Sequence, residues 1–205
     1  MIKAKHLFWQ TNFFNVYVPL ILRWDFSKVT FVNQPPVSDE SILLIGNHFS
    51  WWDGFIAYHL NRKFWNKRFH VMMLEKELTQ RMFLNKAGAY SINKGNRSIL
   101  ETMNYTAELL QEPGNLVVIY PQGKIQSIYN RSFSFEKGIR FLTDRSNLNF
   151  RIVYYVAMVD YFSNRRPGLY LYFQDKGLSG NSSYPDIEND FNHFYRDCIA
   201  QQTNQ

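Results

Sequence analysis

The stretch Ile42-Leu43-Leu44-Ile45-Gly46-Asn47-His48-Phe49-Ser50-Trp51-Trp52-Asp53 decides the fold and marks where polar chemistry can gather. Its short apolar run reads as a strand. Gly46 to Ser50 then form a strand-to-helix turn, with Ser50 the expected helix cap, and a helix-compatible stretch continues to Leu60. A second apolar run, Val71 to Leu74, completes a strand, helix, strand unit.

The same alternation extends along the chain. Lys76 to Lys86 and Arg97 to Gln111 read as helices, the second with Ile99, Leu100, Met103, Ala107 and Leu110 on one face and Pro113-Gly114 as its stop. Leu116 to Tyr120, Ile152 to Val159 and Leu169 to Phe173 read as strands. Phe135 to Asp144 reads as a helix, and an amphipathic segment begins at Pro185. The expected fold is one layered α/β domain, with a mixed, mostly parallel sheet flanked by helices and an added N-terminal amphipathic helix. In such a sheet ligands meet the carboxyl ends of strands. Gly46-Asn47-His48 and Pro121-Gln122-Gly123-Lys124 both follow strands, so the two loops are expected to meet at one sheet edge.

Residues 1–33 form a separate N-terminal segment in this reading, and 34–205 the main domain. Lys3, Lys5 and His6 precede Leu7, Phe8, Phe13, Phe14, Tyr17, Val18, Ile21 and Trp24 at roughly helical spacing, and Pro19 should kink or end the helix. A basic start with Trp9 and Trp24 near either end fits an element lying in a membrane interface; a helix packed on the core fits equally. Residues 33–39 are a loop.

Composition narrows the function classes. The 205 residues suffice for a single core, and 45% hydrophobic content argues against disorder. The 18 Phe, 13 Tyr and 5 Trp exceed what a core of this size needs and point to a lipid boundary or apolar groove. A net charge of +6 favours an anionic partner. No Lys/Arg run exceeds two residues, which argues against nucleic acid. Cys198 is alone, and no histidine has metal-ligand spacing to a second ligand, so neither a metal nor another cofactor is expected. No apolar run reaches the length of a membrane span, and no cleavable signal is evident, so a cytoplasmic location is expected.

His48 and Asp53 carry the chemistry. A turn can fold them together, so that the carboxylate fixes one ring nitrogen and leaves the other to take a proton from a hydroxyl. Alone, His-x4-Asp is a weak pattern, and a structural capping role for Asp53 stands beside the catalytic one.

Four blocks in order strengthen it. Asn47-His48-x4-Asp53, Gly88-Ala89-Tyr90-Ser91-Ile92-Asn93-Lys94, Tyr120-Pro121-Gln122-Gly123, and the strand Ile152 to Val159 after Phe135-Glu136-Lys137-Gly138 together resemble the glycerolipid acyltransferase family, that of the 1-acylglycerol-3-phosphate acyltransferases. The resemblance covers residues 40 to 160. It implies that His48 is the general base and Asp53 its orienting partner. It also implies that Lys94, supported by Arg97, binds phosphate, and that Gln122, Gly123 and Lys124 contact the acceptor, with Asn47, Gly88 and Pro121 supporting the motifs. The co-substrate would be an acyl thioester on coenzyme A or acyl carrier protein. The further partners would be a lipid acceptor and a membrane surface, on the inner face of the cytoplasmic membrane.

The chain departs from the pattern at Gln122, where the family has Glu, at Lys124-Ile125-Gln126, where it has Thr-Arg-Ser, at Lys94 for Arg, and at Tyr155 for Pro. Those changes open the acceptor to alcohols other than lysophosphatidate: another lysolipid, a glycolipid or a hydroxylated polyene pigment. An inactive lipid-binding module and a hydrolase are the rival classes.

Overall fold

The computed structural model describes residues 1–93, 96–143, 149–179 and 184–204, without the side chains of 96, 97, 143, 184 and 185. In chain order the elements are α1 Phe8–Asp25, β1 Lys28–Phe31, β2 Ile42–Gly46, α2 Asp53–Leu60, a π-helical turn Asn61–Trp65, β3 Arg68–Leu74, α3 Glu75–Gln80, α4 Met82–Asn85, β4 Ala89–Ile92, α5 Asn96–Leu110, β5 Asn115–Ile119, a 3-10 turn Lys137–Ile139, α6 Arg140–Thr143, β6 Arg151–Asp160, β7 Gly168–Leu178 and α7 Tyr184–Thr203.

The strands form one sheet in the order β1-β7-β6-β2-β5-β3-β4. Its one antiparallel pair among the described strands is β6 with β7; the others are parallel. The expected mixed, mostly parallel sheet flanked by helices is therefore present. Alternation along the buried strands divides the core in two. Leu43, Ile45, Val117, Ile119, Ile152 and Tyr154 pack with Met103, Ala107 and Leu110 of α5 and Ile187, Phe191 and Tyr195 of α7. Ile42, Leu44, Leu116, Val118, Val153 and Tyr155 pack on the other face with Phe14, Val18 and Leu22 of α1 and Phe55 and Ile56 of α2.

Several elements differ from the sequence expectation. The helix α1 does not end at Pro19; it runs on to Asp25, and burial of Val18 and Leu22 on either side of the proline holds it. Its C-terminal carbonyls at Arg23 and Trp24 accept bonds from the Arg166 guanidinium. The expected helix from Lys76 to Lys86 is two short helices, because Arg81 leaves the helical region (φ −132°, ψ 49°). The helix expected from Phe135 to Asp144 is a 3-10 turn followed by the short α6, and Asp144 lies outside the described residues. The strand β1 was not foreseen; it pairs with β7 in register Lys28 to Gly168.

The β4 edge is covered by the chain's first residues. The Ser91 N–H donates to Ile2 O (2.9 Å), Gly88 N–H to Lys5 O (3.0 Å), and Leu7 N–H to Lys86 O (3.0 Å), which satisfies groups that an edge strand would otherwise leave open. Gly88 is required here: its φ is +104°, and a Cβ would stand 2.0 Å from Phe69 O.

Candidate active site

The turn after β2 is organised around one carboxylate oxygen. Asp53 Oδ2 accepts the backbone N–H of Phe49 (2.8 Å) and of Ser50 (3.0 Å) and lies 2.7 Å from His48 Nδ1. Two backbone donors already converge on Oδ2, so it is also the acceptor of the third bond. In the neutral ring the proton therefore sits on Nδ1 and the lone pair on Nε2. Asp53 is 1% exposed, and the His48 side chain 26%. Burial pushes the Asp53 carboxyl above the usual carboxylate range, opposed by the bonds from His48, Ser50 and Phe49. Ser50 is not the helix cap that the sequence suggested: Trp52 holds that position, and Ser50 Oγ accepts the Trp52 N–H (2.9 Å) one step earlier.

Asn47 fixes the start of the turn. Its Nδ2 donates to Ala157 O and its Oδ1 accepts the Ala157 N–H, both at 2.9 Å. The side chain thus extends the β2–β6 ladder by one rung after the β2 backbone has turned away.

The loop after β5 locks the other side. The His48 N–H donates to Gln122 Oε1 (2.6 Å), and the Gln126 N–H donates to His48 O (2.9 Å). Both main-chain groups of His48 are thus tied to the neighbouring strand's loop. Gln122 is 3% exposed, and its Nε2 has no partner among the described residues. The Gly123 N–H donates to Tyr120 O (3.1 Å), so this amide is already engaged. Gly123 has φ +64°, and a Cβ there would meet the Glu136 side chain at 2.8 Å. The Tyr120 ring stacks on His48, with centroids 4.7 Å apart and planes 20° apart.

A largely apolar cavity of about 1410 Å³ opens at His48. Val71, Met72, Met73 and Leu74 from β3, Ile99, Leu100 and Met103 from α5, and Phe14, Trp51, Phe55 and Phe83 line it. Pro121, Gly123, Lys124 and Ile125 bring the β5 loop to the same cavity, with Lys137 and Arg140. The site residues expected from sequence distribute accordingly. His48, Asp53, Asn47, Pro121, Gln122 and Gly123 form one knot at the adjacent carboxyl ends of β2 and β5, and Lys124 lines the cavity beside it. Gln122 is not part of the cavity wall. Gly88 sits before β4, away from the knot. Lys94 lies outside the described residues, as does the Arg97 side chain; the Arg97 backbone is in the first turn of α5.

Sequence reading missed the stacked Tyr120 ring and the β3 wall. The run Val71 to Leu74 reads as strand, and nothing in its spacing tells a cavity wall from core. His70 and His6 have structural surroundings. Buried His70 donates from Nε2 to Asn115 Oδ1 (3.2 Å), and His6 donates from Nε2 to Phe69 O (2.8 Å). Among the described residues no group of three His, Cys, Asp or Glu side chains could hold a metal ion.

No curated protein matches the sequence. Among solved structures, the crystal structure of the 1-acyl-sn-glycerophosphate (LPA) acyltransferase, PlsC, from Thermotoga maritima is similar, with a TM-score of 0.64 at 12% sequence identity, covering 95% of this chain and 80% of that one. At this identity the likeness is one of fold. The sequence itself matches the family Acyltransferase over residues 28–156, from β1 into β6. That match takes in more than half of the chain and the whole His48 turn: the chain belongs to the acyltransferase family and is an acyltransferase enzyme.

Proposed function

We propose that the chain moves a fatty acyl group from an acyl thioester, carried by coenzyme A or acyl carrier protein, to a hydroxyl of a lysophospholipid or other lipid acceptor. One observation carries this reading: His48 has Nδ1 bonded to buried Asp53 and lines a large apolar cavity. In the reaction His48 Nε2 takes the acceptor hydroxyl proton as the oxygen attacks the thioester carbonyl. The C–S bond then breaks, and the leaving thiolate takes the proton back from the imidazolium. Asp53 keeps the imidazole in the required tautomer and balances its transient charge. Apolar side chains along the cavity suit an acyl chain, whose burial is favourable by roughly 0.8 kcal/mol per methylene.

A second reading concerns the acceptor. Gln122 directs its oxygen to the His48 main chain, and Ile125, 55% exposed, forms part of the cavity wall. Both favour an acceptor without a phosphate at that place, such as a glycolipid or hydroxylated polyene.

The exposed side of α1 suits a membrane interface. Trp9, Phe13, Val16, Leu20 and Trp24 are exposed along it, while Lys3 and Lys5 precede it. No helix among the described residues is long and apolar enough to cross a membrane. We place the enzyme peripherally, on the inner face of the cytoplasmic membrane.

The test is incubation of purified protein with acyl-CoA or acyl carrier protein thioester and a panel of lysophospholipid, glycolipid and hydroxylated polyene acceptors, read by mass spectrometry. Acylated lipid is the expected product. Thiol release with free fatty acid and no acylated acceptor would make the protein a hydrolase, and no turnover of any thioester would make it a binding module.

A further inference from the structure

Below the His48 turn, side chains from the two strands that flank β2 meet across it. Tyr155 lies on β6 opposite Gly46 of β2 in the parallel register, and its ring covers that glycine: a Cβ at position 46 would stand 2.2 Å from Tyr155 Cε1 and 2.5 Å from Cζ. Gly46 is thus the gap through which the phenol crosses β2. On the far side the Tyr155 hydroxyl lies 2.8 Å from the hydroxyl of Tyr120, which follows β5, and the Tyr120 ring is the one stacked on His48. Tyr155 is fully buried, so its hydroxyl needs the partner that the half-buried Tyr120 supplies. The two positions are those at which the resembled blocks have Phe and Pro.

We infer that Tyr120 and Tyr155 are a coupled positioning pair for His48, in which the hydroxyl–hydroxyl bond across Gly46 holds the Tyr120 ring as a fixed plate against the imidazole. Asp53 restrains the imidazole through one hydrogen bond, at Nδ1, and small coupled changes of the side-chain torsions χ1 and χ2 can tilt the ring plane while that bond persists. The stacked ring removes that freedom and keeps Nε2 aimed at the cavity, as transfer of a proton over a short distance demands. Tyr155 is not part of the cavity wall and acts only through Tyr120; the Tyr120 ring borders the cavity and acts here through its stack on His48. The inference rests on the reading of His48 as the base.

The variants are Tyr120→Phe, Tyr155→Phe and the double substitution, which keep both rings. Each single change leaves a hydroxyl without its partner and should lower the unfolding midpoint, whereas removing both should restore most of it. A positioning role makes kcat behave differently. It should fall about tenfold in both single variants and stay down by a similar factor in the double variant, with KM for the thioester little changed, because the tether is absent in all three. Recovery of kcat together with stability in the double variant would reduce the pair to packing and overturn the inference, as would wild-type kcat in either single variant. His48→Ala in the same assay separates the two levels. If it is inactive while the tyrosine variants keep wild-type kcat, only the pair's role fails. If it is active, the base assignment fails and the pair's role with it.

Discussion

Asp53 Oδ2 gathers three donors, and replacing that oxygen by an amide tests what they do together. Asp53→Asn either turns an NH2 toward the Phe49 and Ser50 amides or presents a neutral oxygen that stabilises no imidazolium. Turnover should drop about a thousandfold with KM changed far less, measured as thiol release under saturating thioester. Asn47 carries no chemistry in this account. Asn47→Ala would leave both main-chain groups of Ala157 unpaired in the interior, so the unfolding free energy from urea titration should fall by roughly 2 kcal/mol. His70 gives a pH test. Burial and the neighbouring His6 and Arg68 lower its pKa to about 3, against the single raising contact from Asn115. The unfolded chain then binds a proton that the folded chain refuses, and stability is lost as pH falls from about 6.5 toward 3. His70→Gln keeps a donor for Asn115 and does not titrate. Between pH 7 and pH 5 it should lose about 2 kcal/mol less than wild type; equal losses would show that another group governs the acid limb.

At the scale of elements, α1 packs on the core, one of the two readings that its sequence allowed, and leaves an apolar side exposed. Phe14, Val18 and Leu22 are core, and the Tyr58 hydroxyl donates to Asn15 Oδ1 (2.8 Å), tying the helix to α2. The opposite side leaves Trp9 83% and Trp24 77% exposed. Deleting the helix would uncover the core, so membrane attachment is better tested on the exposed side alone. The triple variant Trp9→Gln, Phe13→Gln, Leu20→Gln should fold with an unchanged unfolding midpoint and bind anionic vesicles at least about tenfold more weakly in co-sedimentation. Unchanged pelleting would contradict the interfacial role. The strands that sequence made legible, β2, β3, β5, β6 and β7, lie inside the sheet, and each holds an apolar run. Those it missed, β1 and β4, are the two edges. Each has only four residues, and β1 is half-exposed, so no apolar run announces it. The break at Arg81 was invisible for a related reason: a backbone turn inside a helix-compatible composition leaves no trace in periodicity.

For the whole molecule, the alternation of strands and helices led to the right class of fold because parallel strands need covered faces and crossover helices. It also brought the His48 and Gln122 loops together correctly, since β2 and β5 are parallel neighbours. What spacing alone left out was tertiary: the Tyr155 ring over Gly46, the Tyr120 stack on His48, and a cavity wall drawn from β3 and α5. Such contacts join residues far apart in sequence and have no local signature. The molecule is an acyltransferase whose sheet supports a hydrogen-bonded His48 turn lining an apolar cavity, with an exposed apolar side on α1. Its central claim, that His48 removes the acceptor proton, is tested most directly by single-turnover acyl transfer with purified His48→Ala, using a thioester and an acceptor on which the wild type works. The expected variant is correctly folded, with an unfolding free energy unchanged to within about 1 kcal/mol, and its transfer rate falls by roughly two to four orders of magnitude. Transfer at the wild-type rate would contradict it.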